Sequence, residues 1–317
     1  MAQRILERGQ IETLASRSIP RIRLPDRGQL FGRRAARLSE LAAHSPIGDY
    51  LGVLAAIATA QQACIGRINV RLPEPAQIAR AREHRMPPLQ ATSYPRDPQW
   101  REALAAINAS VASADGAPET LRTLCERLRN AEPDWLESQA GALLASRDAD
   151  IDAAAAPFIA AALQVHWVAL TAAFSNESVA ALDVPGVCPL CGSLPVASIV
   201  AALAPHTGYR YLHCALCATE WHMVRVHCSH CGASGKDIAY RYLEEDAARS
   251  GEHGPAALRA ETCEQCHAYR KIVYQENDPR VEPLADDVAS IALDLLLAES
   301  GYHRVNANPL LWQPIER

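Results

Sequence analysis

Four Cys-x2-Cys pairs are the residues of this sequence whose type and spacing point most directly to chemistry. Eight of the ten cysteines form these pairs: Cys188/Cys191, Cys214/Cys217, Cys228/Cys231 and Cys263/Cys266. A tight turn over such a pair directs two thiolates at one ion, and backbone N–H groups in the turn stabilise the sulfur charge. In an intracellular chain these pairs are more typical of metal sites than of disulfides.

Eight thiolates suit two tetrahedral sites, because each such site needs four ligands. Sequential pairing, first pair with second and third with fourth, leaves room for a small hairpin inside each unit. The interleaved pairing is disfavoured because the two units would have to interpenetrate. The sequence therefore predicts two tandem modules of the zinc-ribbon or rubredoxin type. Gly192 and Gly232 each follow a pair and tolerate the positive φ expected after the second ligand.

The residues themselves leave the identity of the metal open. Four thiolates fit zinc and iron about equally well. Zinc would make the modules structural, whereas a single iron ion could cycle by one electron. One four-iron cluster would use only four of the eight paired cysteines, and the spacing of these cysteines differs from that of ferredoxins. Four histidines flank or interrupt the pairs and are expected beside the ligands or at the surface: His213, His227, His230 and His267.

Composition and missing motifs exclude several other classes of protein. Of the 317 residues, 49% are hydrophobic and 21% charged, which is typical of a globular chain with about two domains. The net charge of −5 and the presence of only two lysines argue against a nucleic-acid binder. Gly-x-Ser-x-Gly, His-Glu-x-x-His and phosphate-binding glycine motifs are absent, so the motifs give little support to a catalytic role.

The elements that must position the cysteines divide the chain into four predicted segments. Residues 1–183 have helical periodicity, and the alternating runs that follow Val184 predict short strands. After residue 275 the apolar spacing becomes helical again, up to Gly301. We expect a multidomain α+β protein with these parts: an N-terminal α-helical bundle (1–183), two tandem rubredoxin-like or zinc-ribbon-like four-cysteine modules (184–226 and 227–275), and a C-terminal helix and tail (276–317).

One apolar segment needs a membrane test. Residues 153–174 carry no formal charge over 22 residues, which is long enough to span a bilayer. The segment is mostly alanine, which adds little insertion free energy, and it contains Pro157, Gln164 and His166. We therefore predict a buried central helix rather than a membrane span. No export signal is recognisable in the sequence.

Some residues outside the pairs are candidates for other roles. Four aromatic and charged side chains follow the second Cys-x2-Cys pair: Glu220, Trp221, His222 and Arg225. We expect them to be exposed for partner binding, unless Trp221 packs across its own hairpin. Asp286 and Asp287 could complement a basic partner surface, although a helix N-terminus explains them equally well. Cys64 and Cys125 stand alone and are interpreted as structural thiols.

Several stretches resemble the FdhE type of formate dehydrogenase accessory protein. They are CPLCGSLPVAS (188–198), YLHCALCATEWHMVRVHCSHCG (211–232), AETCEQCHAYRKIV (260–273), parts of residues 30–61, and EPLADDVASIALDLLLAESGY (282–302). All eight paired cysteines match the family's pattern. The resemblance implies a cytoplasmic, non-catalytic protein that contacts the catalytic subunit of a respiratory formate dehydrogenase before export. It also implies two mononuclear iron ions in rubredoxin-like sites, with zinc as the alternative occupant.

Two other hypotheses stay open on the sequence. The first is a rubredoxin-like electron-transfer protein that reduces its client. The second is a zinc-ribbon interaction module that binds protein or nucleic acid, which the net negative charge disfavours.

Overall fold

A computed structural model of the chain describes residues 19–243 and 257–311, apart from the side chain of Asp148. The first 18 residues of the predicted helical segment and the last six of the predicted tail lie outside this description. Within the described residues, seven helices occupy the first half of the chain: Leu30–Ala42 (α1), Gly48–Ile65 (α2), Pro75–Glu83 (α3), Gln99–Ala112 (α4), Glu119–Arg129 (α5), Pro133–Leu144 (α6) and Ala156–Leu170 (α7). The predicted helical character of this part is confirmed.

Helix α7 is the centre of the helical part. All of its residues are buried, and it packs against α2, α4 and α6. The apolar segment Ala156–Ala173 is long and apolar enough to cross a membrane, but 89% of it is buried inside the protein. The prediction of a buried central helix is therefore confirmed. Local signals also place the shorter helices; Pro75 starts α3, where Glu74 and Gln77 form a capping box.

The second half of the chain contributes to one mixed sheet. Its described strands are Ile22–Arg23 (β1), Pro195–Val200 (β2), Arg210–Cys214 (β3), Glu220–His222 (β4), Ile238–Arg241 (β5), Leu258–Cys263 (β6), Ala268–Tyr274 (β7) and His303–Arg304 (β8). The order is β1-β4-β3-β2-β7-β6-β5, and β8 pairs with β7. The sequence did not predict β1, β6 or β8.

The two four-cysteine units share this sheet. Each unit contributes antiparallel strands, and the units join where β2 pairs with β7 in parallel, with Ser198 opposite Ile272. Both strands are buried along their whole length. The two tandem units that we predicted are therefore joined in one sheet, where their central strands complete each other's hydrogen bonding. The segment boundaries proposed from the sequence remain predictions.

The carboxy-terminal helix is broken, in contrast to the single helix that we predicted. Pro283–Ala289 (α8) and Ile291–Glu299 (α9) meet at Ser290. The buried ammonium group of Lys271 donates to the backbone carbonyls of Asp287 and Ser290, at 2.8 and 3.1 Å. The Lys271 side chain therefore binds two backbone carbonyls at the place where α8 ends and α9 begins. Gly301 follows α9 with φ +81°, as expected for a helix stop.

The two acidic residues proposed for a partner surface are buried instead. Asp286 is 5% exposed, Asp287 is fully buried, and both form ion pairs inside the protein. Asp287 contacts Arg304 and lies 3.8 Å from the Lys271 ammonium. The expectation of a role in docking is therefore wrong, because burial of a carboxylate requires that its charge be compensated internally.

Candidate metal centres

The first four-cysteine group lies between the sheet and the helices. Cys188 and Cys191 occupy the turn before β2, Cys214 ends β3, and Cys217 lies in the turn to β4. The Sγ atoms of Cys188 and Cys217 are 3.6 Å apart, and those of Cys191 and Cys214 are 3.4 Å apart. The four sulfur atoms lie within 4.8 Å of one another. This group can therefore hold one metal ion.

The second group repeats the arrangement at the other end of the sheet. Cys228 and Cys231 occupy the turn before β5, Cys263 ends β6, and Cys266 lies in the turn to β7. The Sγ atoms of Cys228 and Cys266 are 3.8 Å apart, and those of Cys231 and Cys263 are 3.6 Å apart. All four sulfur atoms again lie within 4.8 Å of one another. The pairing is sequential in both groups, as the sequence predicted.

The sulfur separations fit a tetrahedral thiolate site. A tetrahedron with metal–sulfur bonds of about 2.3 Å has edges of about 3.8 Å between its sulfur atoms. The closest sulfur pairs, at 3.4–3.8 Å, are near this value, and all other separations within each group stay below 4.8 Å. These separations are far longer than the S–S bond of about 2.05 Å in a disulfide. The donor chemistry and the spacing therefore fit zinc and a mononuclear iron ion alike.

All four turns share a backbone geometry that explains the residue after the second cysteine. In the two Cys-x2-Cys-Gly turns, the N–H of Gly192 donates to the carbonyl of Cys188, and that of Gly232 to Cys228. The residue that follows each pair has φ between +55° and +81°: Gly192, Ala218, Gly232 and His267. The prediction for the two glycines is confirmed. Ala218 and His267 adopt the same conformation at the steric cost of a side chain.

The pKa values of the neighbouring thiols in each group shift in opposite directions. Burial raises the pKa of the Cys188 and Cys214 thiols well above the ordinary value. Burial also opposes ionisation of Cys191, yet hydrogen bonds from the neighbouring thiols hold its pKa well below the ordinary value. The pKa of Cys231 is lowered by the backbone N–H of Ala233. Because cysteine binds a metal ion as the thiolate, metal binding at either group releases protons.

The histidines are not part of either group. Among the described residues, the two metal-competent groups consist of cysteines alone. His213 is buried and its Nδ1 lies 3.0 Å from a carboxylate oxygen of Glu220, which also pairs with Arg23 at 2.9 Å. His230 and His267 are exposed and His227 is half-buried. These positions match the prediction that the histidines lie beside the ligands or at the surface.

Three of the four proposed partner-binding side chains are at least partly buried. Trp221 is 5% exposed, and its indole N–H donates to the carbonyl of Pro185 at 2.8 Å. The expectation that this ring is exposed is therefore wrong, because it packs into the main core beside its own hairpin. Glu220 and His222 are half-buried, and Arg225 is exposed. A role of these residues in partner binding stays a prediction.

Sequence reasoning missed the contacts that enclose the first group. The proline-rich loop before α4 pairs with the first cysteine turn: the N–H groups of Leu89 and Ala91 donate to the carbonyls of Leu190 and Cys191, both at 2.9 Å. Trp167 of α7 holds the loop by donating to the carbonyl of Leu89 at 3.1 Å. The six prolines between residues 73 and 98 indicated a loop, but they did not indicate that this loop binds the first cysteine turn.

The fold and the two groups define a class of protein: a helical bundle joined to a mixed sheet that carries two candidate four-thiolate metal sites. Family models match this architecture in three consecutive parts, described as FdhE N-terminal (residues 19–183), FdhE central domain (187–225) and FdhE C-terminal domain (226–311). The chain belongs to the FdhE family. This assignment fits a formate dehydrogenase accessory protein rather than a catalytic enzyme.

Individual relatives support the assignment over nearly the whole chain. The chain is 38% identical to the FdhE homolog of Cronobacter sakazakii, covering 98% of each chain. It is also 38% identical to the protein FdhE of Escherichia coli K12, covering 96% of each. The crystal structure of the FdhE protein from Pseudomonas aeruginosa is similar with a TM-score of 0.76 and 39% identity, covering 92% of this chain and 99% of that one.

Proposed function

We propose that this chain is a cytoplasmic maturation factor for a respiratory formate dehydrogenase. It docks on the catalytic subunit before export and binds two metal ions, iron in each case, through its eight paired cysteines. The observation that carries the proposal is the pair of four-thiol groups in a chain that belongs to the FdhE family. The family assignment supports the client, and the thiol geometry supports the ions.

The residues of the chain suggest how metal and docking are connected. In each unit the thiols join a tight turn to the end of a strand, so four metal–sulfur bonds would hold the two loops together. Small β-units of this kind have little core of their own. Three cysteines of the second group form a small apolar cluster with only three other residues: Ala233, Ile238 and Tyr240. Bound metal therefore fixes the surface that the sheet presents to a partner.

Metal analysis combined with a visible spectrum tests the identity of the ions. The protein is purified without oxygen and then exposed to a mild oxidant. About two irons per chain and a ferric–thiolate band that disappears on reduction would support the proposal. About two zincs and no visible band would overturn the iron assignment and leave two structural sites.

Co-purification with a formate dehydrogenase catalytic subunit tests docking. We expect a one-to-one complex with the wild-type chain and its loss with Cys214→Ser, which removes a ligand of the first group. Cys125→Ser is the matched control, because Cys125 is also buried but lies outside both groups. If the Cys214→Ser protein has lost its metal and still binds the subunit as well as wild type, the proposed link between metal and docking is wrong.

One observation favours electron transfer as a second candidate function. Cys231 is exposed at the edge of the second group, so a redox partner can approach this site closely. Reactivation of an oxidised client by the iron-loaded protein, and its absence with the zinc-loaded protein, would support this function. Equal reactivation by both forms would exclude it, because zinc is not redox-active.

A further inference from the structure

The two four-cysteine groups differ in their access to solvent. Each cysteine of the first group is at most 1% exposed. In the second group Cys228 and Cys263 are buried, but Cys231 is exposed and Cys266 is half-buried. The sulfur geometry of the two groups is nearly the same, so the difference lies in what surrounds them.

The helical part of the protein encloses the first group. Its four cysteines belong to the main hydrophobic core together with residues of α1, α2, α4 and α7. The loop at Leu89–Ala91 covers the turn of Cys188 and Cys191 through its two backbone hydrogen bonds to that turn. On the opposite turn, the Gln164 amide of α7 donates to the carbonyl of Ala215 at 2.8 Å. Access to this group therefore requires that part of the core open.

The second group has no comparable cover in the described part of the chain. It packs in its small cluster beside β5, which is the end strand of the sheet. The residues on either side of Cys231, His230 and Gly232, are exposed, as is His267 beside Cys266. A small molecule can therefore reach two of the four ligands without unfolding of the core.

We propose that the second group is the exchangeable metal site and the first is a closed site. This inference rests on the proposed metal binding. A chelator removes an ion by ligand substitution: one of its donor atoms bonds to the metal while a metal–sulfur bond breaks and the thiolate leaves. Cys231 is the first thiolate to leave the second site, because its side is open to the incoming donor. The surrounding shell of a metal site controls such access.

The chain contains a matched pair of residues for testing this proposal. Cys191 and Cys231 are both the second cysteine of a Cys-x2-Cys-Gly turn. The Cys191 sulfur lies 3.4 Å from that of Cys214, and the Cys231 sulfur lies 3.6 Å from that of Cys263. They differ in burial, with Cys191 fully buried and Cys231 exposed. The same substitution at the two positions therefore separates the effect of access from the effect of ligand loss.

Zinc release to an excess of a chromogenic chelator provides the first measurement. The full-length chain is loaded with two zinc ions, freed of excess metal, and mixed with the chelator at neutral pH. We expect two phases of about one zinc each, separated in rate by about tenfold or more, because release from the closed site requires local opening. A single phase that releases both ions would overturn the proposal. Failure of the chain to retain any zinc would instead overturn the proposed metal binding.

Variants and alkylation assign the phases. Cys231→Ser should abolish the fast phase and keep one slowly released zinc, whereas Cys191→Ser should abolish the slow phase. Since Cys191→Ser could fail to fold, the zinc-loaded wild type is also alkylated with iodoacetamide and analysed by mass spectrometry. Cys231 and Cys266 should be modified before any cysteine of the first group. Earlier modification of Cys188, Cys191, Cys214 or Cys217 would contradict the proposed order of access.

Discussion

Arg37 of α1 and Asp286 of α8 form a buried ion pair between residues 249 positions apart in the sequence. The Arg37 Nε lies 3.0 and 3.1 Å from the two carboxylate oxygens of Asp286, and Nη2 lies 2.6 Å from one of them. Burial raises the pKa of Asp286 to about 6, and Arg37 acts against this by stabilising the ionised form. The pair thus fastens the carboxy-terminal part of the chain to the first helix.

Removal of the Arg37 charge should lower stability strongly. We expect Arg37→Met to reduce the free energy of unfolding by about 3–5 kcal/mol, because a buried carboxylate loses its partner. Adding Asp286→Asn should recover part of this loss. Urea unfolding followed by tryptophan fluorescence measures both effects. Arg122→Met is the control, since the pair of Arg122 with Glu119 is exposed and should contribute less than about 1 kcal/mol. Equal losses for the two arginine variants would contradict the importance of the buried pair.

A side chain added at Gly186, which lies outside both cysteine groups, should disturb the second four-cysteine group. A Cβ atom at Gly186 would lie 2.5 Å from the backbone carbonyl oxygen of Ser229, inside the turn of Cys228 and Cys231. We expect Gly186→Ala to displace this turn, reduce stability by about 1–3 kcal/mol and accelerate zinc release from the second group.

The matched control for Gly186 is Gly66→Ala. Gly66 has an ordinary φ of −79°, and a Cβ atom added there would have no neighbour within 4 Å in the described part of the chain. This variant should release zinc as the wild type does and stay within about 0.5 kcal/mol of its stability. Unchanged release from Gly186→Ala would show that the turn tolerates the added methyl group.

The buried His166 should make stability depend on pH. Burial lowers the pKa of His166 to about 4, and neither ring nitrogen has a hydrogen-bond partner among the described residues. In the unfolded chain His166 takes up a proton near pH 6.5, whereas in the folded chain it stays neutral down to about pH 4. The free energy of unfolding is therefore unaffected by this group above pH 6.5 and decreases as the pH falls from 6.5 toward 4. Between pH 7 and 5 the loss should be about 2 kcal/mol.

Urea unfolding at pH 7 and pH 5 checks the role of His166. His166→Leu should lose about 2 kcal/mol less than the wild type between these two pH values. The control is His44→Gln, which removes a histidine from the surface instead of from the core. If His166→Leu and wild type lose the same free energy, another group is responsible for the acid sensitivity.

The two unpaired cysteines should be dispensable for metal binding. Cys125 is buried, Cys64 is half-buried, and neither belongs to a four-cysteine group. The double variant Cys64→Ala/Cys125→Ala should retain two metal ions per chain, with a loss of about 1 kcal/mol in stability from the buried thiol. Metal analysis after gel filtration is the measurement. Any loss of bound ion would place one of these cysteines in a metal site and contradict the eight-ligand assignment.

Local patterns in the sequence were sufficient to predict the helices of the first half and the cysteine turns. A Cys-x2-Cys-Gly turn is closed by hydrogen bonds within five residues, and the glycine supplies the required positive φ, so neighbouring residues determine its shape. The spacing of the pairs also predicted which pairs share a group. The buried helix α7 followed from its uncharged, alanine-rich composition. In each case the physical cause lies within a short stretch of chain.

Tertiary structure decided how these parts are arranged and which of them reach solvent. The parallel pairing of β2 with β7 joins strands that are far apart in sequence, and no local pattern specifies a parallel partner. Trp221 packs into the main core, where the carbonyl of Pro185 accepts its indole N–H. The helices α8 and α9 are separated where Lys271 donates to backbone carbonyls. The first group is enclosed by a loop from the helical part, whereas Cys231 is left exposed. Two identical sequence patterns therefore acquire different access, because burial depends on distant segments that pack over each site.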